Sequence, residues 1–126
     1  MPRLRLVDSI TELGPGDAGC VAISGSHGGA SSARYAIAAR PLLRVFNDAG
    51  VGKDGAGVAG LAMLQAQALA GCTVAHDSAR IGDAHSTLAD GIISHVNAAA
   101  EALGLAPGQR CRDAAARLAQ DQEETR

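Results

Sequence analysis

One pattern restricts this chain more than any other. A short apolar run, introduced by Gly-Cys or Pro, leads into a polar loop and then a helical stretch, and the unit occurs three times. The runs cover 20–24, 42–46 and 73–75, with Cys72 before the last. Short β-rich runs bounded by glycine or proline read as buried strands. Strands alternating with helices at this spacing give a parallel sheet with right-handed crossovers. The expected fold is α/β: three layers, a mostly parallel sheet with helices on both faces, Rossmann-like. Residues 4–7 are expected as an edge strand and 9–17 as a connection. The whole chain, 1–126, is read as one domain, since 126 residues is an ordinary domain size.

The helices carry their own signals. The first is expected over 31–39 and ends at Pro41. The second covers 56–70, with Gly71 in the C-cap position. It is small and apolar nearly all round, so a homo-oligomer contact through it is expected, with complete burial inside one subunit as the alternative. Thr87-Leu88-Ala89-Asp90 has the form of a capping box. Ile92, Val96, Ala99 and Leu103 then recur as one helical face, closed by Gly104. Pro107 starts a last helix over 108–120, and 120–126 is a charged frayed tail.

Composition excludes several partners. The chain has one Tyr, one Phe and no Trp, so no aromatic platform exists for stacking bases. Its net charge is -2 and it has no basic run. Nucleic acid is therefore not expected. No apolar stretch approaches a membrane span, and no signal peptide is visible, so a membrane is not expected either. Cys20, Cys72 and Cys111 form no C-x-x-C, which fits a cytoplasmic protein with free thiols.

The chemistry collects in the loops that leave the strands, where ligands of open parallel sheets bind. Loop one offers Ser24, Ser26, His27, Gly28 and Gly29. Loop two offers Asn47, Asp48, Lys53 and Asp54. Loop three offers His76, Asp77, Ser78, Arg80, Asp83 and His85. Three of the four histidines lie in these loops. Gly28 and Gly29 suit a backbone cradle for a phosphate or carboxylate at a helix start. Ser24-Gly25-Ser26-His27-Gly28 also has the outline of a nucleophile elbow, which Asp77 with His85 or His95 would complete. It has Ser where the elbow usually has Gly.

Gly50-Val51-Gly52-Lys53-Asp54-Gly55 matches G-x-G-x-x-G after a strand. Asp54 would sit where a pyrophosphate goes, and as a Walker A it fails at Asn47 and Asp54. Lys53 is expected to contact a ligand instead. The His and Asp residues of loop three match no metal motif by spacing, so no cofactor is expected. Arg80 is the natural carboxylate clamp.

The expectation is a small-molecule enzyme acting by acid/base chemistry on an anionic substrate, as a hydrolase or lyase. Ser26, His27, His76 and Asp77 are its expected catalytic residues, and the other loop residues its substrate contacts. The alternatives are a non-catalytic ligand- or nucleotide-binding module, or a scaffold subunit.

Overall fold

The computed structural model describes residues 2–119. The tail expected over 120–126 lies outside the described residues. The fold is α/β. Strands β1 (Leu4–Val7), β2 (Val21–His27), β3 (Leu43–Asn47), β4 (Ala70–Val74) and β5 (Ile93–Val96) form one sheet in that order. The first four are parallel, and β5 runs antiparallel to β4. The order is sequential, so the sheet lacks the reversal of strand order at which Rossmann folds place their ligand.

The strands form where apolar residues can be buried on both sides. Val21 to Gly25 and Leu43 to Asn47 are buried without interruption. Helix α1 (Ala30–Ala39) joins β2 to β3, and α2 (Ala59–Gln65) precedes β4. Along β3 the residues alternate between two clusters. Leu43 and Val45 pack with Val21, Ile23, Cys72, Val74, Cys111 and Ala115. Phe46 packs instead with Ile10, Ala33, Ala36, Leu61 and Leu64. Right-handed connections between strands in sequence order fall on one side, which groups Ile10, α1 and α2 together. Small residues let α1 and α2 approach. A Cβ on Gly60 would lie 2.6 Å from the Gly29 carbonyl oxygen and 3.0 Å from Ala33 Cβ.

Two expectations about helices are corrected. The stretch 87–103 is not one helix. Helix α3 (Ala84–Asp90) ends at Gly91, β5 follows, and α4 (Ala98–Ala102) comes after it. Asp83, not Thr87, caps α3, accepting from the Ser86 N–H at 3.0 Å. Asn97 caps α4. The Ile92-Ile93 pair and Val96 favour strand, and β-strand period wins over the coincidental helical spacing.

The stretch 56–70 is likewise only partly α-helical. A 3-10 segment spans Lys53–Val58, and α2 stops at Gln65. A Schellman arrangement closes it, with Leu69 N–H on the Leu64 carbonyl and Ala68 N–H on that of Gln65. Ala68 takes the left-handed position at φ 57, and Gly71 lies inside β4 instead. Gly60, Leu61 and Leu64 are buried within the chain. The last helix, α5, covers Cys111–Leu118.

Candidate functional site

Asp48 follows β3 directly and is only 4% exposed. One carboxylate oxygen, Oδ1, accepts the Gly50 N–H at 2.9 Å and the His76 N–H at 3.0 Å. Two imidazoles flank the group. His76 Nδ1 lies 3.5 Å from Oδ1, and His95 Nδ1 lies 3.9 Å from Oδ2. Both rings are well exposed to solvent, whereas the carboxylate is not. His95 comes from β5, paired with Thr73 of β4. Thr73 Oγ1 is 2.8 Å from Ser94 Oγ and 3.3 Å from His95 Nδ1.

Burial pushes the Asp48 carboxyl up. The Gly50 N–H, the Ser94 hydroxyl, the His76 N–H and the His76 ring outweigh it and hold it below its ordinary value of 3.8. A carboxyl lower in the folded than in the unfolded chain contributes stability that is complete above 3.8 and is lost as the pH falls through the folded value. Asp48→Asn is therefore expected to flatten the acid limb of the stability curve below 3.8. Asp17, also held low by the Gly14 N–H and by Arg5 and Arg3 against its burial, supplies the slope that remains. Urea melts from neutral pH down to this range check it, and an unchanged acid limb would contradict it.

The turn around Asp48 is strained. Ala49, Val51 and Asp54 have φ of 53, 67 and 57, in company with Gly50, Gly52 and Gly55. A β-branched residue such as Val51 rarely adopts this conformation, and such strain collects at functional sites. Five N–H groups of this loop are committed internally. Gly50 donates to Asp48 Oδ1, Val51 to the Asp48 carbonyl, Gly52 to Gly50, Gly55 to Gly52 and Gly57 to Val51. The G-x-G-x-x-G string thus serves the turn itself. Lys53 and Asp54 stand exposed on it.

Beside His76 lies a cavity of about 550 Å³. Its walls include Asn47, His76, Asp77, Ser78, Arg80 and Asp90. Loops two and three therefore meet at one place. Asn47 is buried and bridges Ala79 and Ala49, and Ser78 bridges Ala75 and Ile92, so both act as braces.

Loop one is set apart from this cavity. Ser24 is buried and donates to the Val45 carbonyl at 2.7 Å. Ser26 accepts the Ile10 N–H at 2.9 Å. With His27 it lines a separate cavity of about 290 Å³. His27 Nδ1 accepts the Gly29 N–H at 3.0 Å. Gly28 and Gly29 are pressed against protein: a Cβ on Gly28 would lie 2.7 Å from the Gly57 carbonyl oxygen, and one on Gly29 2.7 Å from the His27 ring. The structure does not bring Ser26 together with Asp77 and His85.

Asp83 and His85 join Asp8 in a group whose ligand atoms lie within 4.8 Å of one another. Asp8 accepts the Ala84 N–H and Asp83 the Ser86 N–H. Capping the start of α3 accounts for both acids.

The three cysteines are buried. Burial raises the Cys20 thiol to about 11 and the Cys111 thiol to about 12, and pushes Cys72 up in the same direction. A chromogenic disulfide reagent at about pH 8 is expected to leave the folded protein unmodified, because only thiolates attack. All three thiols should react after denaturation. A thiol that reacts before unfolding would contradict this.

The sequence did not reveal His95 and Ser94 as neighbours of Asp48, Thr73 as a neighbour of His95, or Asp90 as a cavity residue. Reading 92–96 as a strand would have exposed them, since only a strand beside β4 carries His95 to Thr73. Among the described residues, no helix is long and apolar enough to cross a membrane. No protein family, curated protein or solved structure matches the chain.

Proposed function

We propose that the protein is a small-molecule enzyme that works by acid/base chemistry on a carboxylate-bearing substrate, as a hydrolase or lyase. The observation that carries this reading is the buried Asp48 carboxylate between two exposed imidazoles, one of them on a cavity wall. An ionised carboxylate beside Nδ1 keeps the proton there and leaves Nε2 as the acceptor. His76 then takes a proton from water in a hydrolysis, or from a carbon beside the bound carboxylate in an elimination. The same proton returns to the leaving group. Arg80, on the same cavity, holds the substrate carboxylate through its guanidinium fork. His95 is the second imidazole beside Asp48, and the Thr73 and Ser94 hydroxyls are the hydrogen-bond partners of its Nδ1.

Ser26 and His27 have no part in this chemistry, since they line another cavity. The helices are read as covering both sheet faces in three layers, because β3 feeds two separate clusters.

A turnover screen of carboxylate-bearing amides, esters and β-substituted acids tests the proposal. A substrate whose conversion is lost in His76→Ala, with an unchanged melting temperature, is the expected result. Conversion that survives in His76→Ala would overturn it.

A further inference from the structure

We infer that the ligand of the cavity beside His76 is zwitterionic: an amine-bearing carboxylate with an apolar body, of the size and kind of an amino acid. This rests on the reading of that cavity as the substrate site.

The charges on the walls are unequal. Among the described residues of the walls, Arg80 is the single cation, and Asp77 and Asp90 are two carboxylates. A ligand carrying only negative charge would meet more repulsion than attraction. A ligand with one ammonium and one carboxylate satisfies both signs.

Asp90 is exposed, and its place is unfavourable for the helix that carries it. It is the last residue of α3. A carboxylate there faces the unpaired carbonyls of the last turn, which is the unfavourable end for negative charge. Among the described residues it has no hydrogen bond or ion pair, and neither has Asp77. Residues that break a local rule without compensation cluster at functional sites. Arg80 is also available. Its side chain is 83% exposed and, among the described residues, its one pairing is a loose 3.7 Å contact from Nε to Asp83. Exposed pairs of this kind hold weakly, so the guanidinium can turn to a ligand carboxylate. Ile81 is 56% exposed on the same cavity and offers an apolar wall.

Three probes that share a phenylethyl body separate the possibilities: phenylalanine, 3-phenylpropionate and 2-phenylethylamine. Calorimetric titration of the whole protein should show phenylalanine binding at least about tenfold tighter than either of the others. Asp90→Asn should lose that advantage while leaving 3-phenylpropionate as tight or tighter. Its melting temperature should not fall, because the substitution removes a charge from the wrong helix end. Arg80→Ala should weaken phenylalanine and leave 2-phenylethylamine unchanged. Tightest binding of 3-phenylpropionate, with no effect of Asp90→Asn on phenylalanine, would overturn the zwitterion. The Asp48–His76 chemistry would survive that result, since it predicts loss of turnover in His76→Ala whatever the ligand charge. No binding of any of the three at millimolar concentration would also overturn it.

Discussion

Asp48→Asn is expected to lower turnover by about 100- to 10,000-fold, the range over which general acid/base groups contribute. The substitution is nearly isosteric. An asparagine carbonyl can still accept the Gly50 and His76 N–H groups that now reach Oδ1 at 2.9 and 3.0 Å. What it cannot do is present negative charge to both imidazoles. Its amide nitrogen would stand near His95 Nδ1 as a donor, where an acceptor is needed. The His76 ring, left beside a neutral amide oxygen in place of a carboxylate, holds its proton on Nδ1 less strongly, and a proton that moves to Nε2 removes the acceptor from the cavity. Rates measured on the substrate found by screening check the claim. Loss of folding with no specific loss of rate per folded molecule would place Asp48 among the structural residues.

Gly57→Ala should have the largest effect on stability, about 3 kcal/mol or more, the upper part of the range for overpacking. A Cβ at position 57 would collide with the Asp48 carbonyl oxygen and lie 3.1 Å from that of Val51. Both are backbone atoms of the strained turn, so no side chain can move aside. Gly57 is also where the Gly28 backbone approaches, so the turn cannot retreat toward β2 and α1. Relief must come from displacement of the Asp48 carboxylate. The variant should therefore lose both stability and the alignment of His76. Chemical denaturation measures the first directly. A variant within about 0.5 kcal/mol of the parent would show that the turn is pliable.

The strands were legible where burial on both faces leaves an apolar run, as at Val21 to Ile23, or one broken by a single charge, as Arg44 breaks Leu43 to Phe46. Strand β5 was hidden because Ile92, Val96, Ala99 and Leu103 also satisfy a helical spacing. Only Gly91 marks the break, and a lone glycine is compatible with either reading. The glycines of loops one and two resembled anion-binding backbone. In the structure they serve left-handed turns and close packing, as Gly50 and Gly28 show. Asp48 and His76 could be named as strand-end residues from sequence. Their pairing with His95 could not, because it depends on the register of an antiparallel edge strand that pattern alone conceals.

The position of the ring proton on His76 tests the central claim most directly. Nitrogen-15 spectra of the neutral imidazole distinguish protonated Nδ1 from protonated Nε2. The parent protein should show the proton on Nδ1, 3.5 Å from the Asp48 carboxylate, with Nε2 bare. Asp48→Asn should shift the ring toward Nε2–H. A parent ring already protonated at Nε2, or the same tautomer in both proteins, would contradict the account.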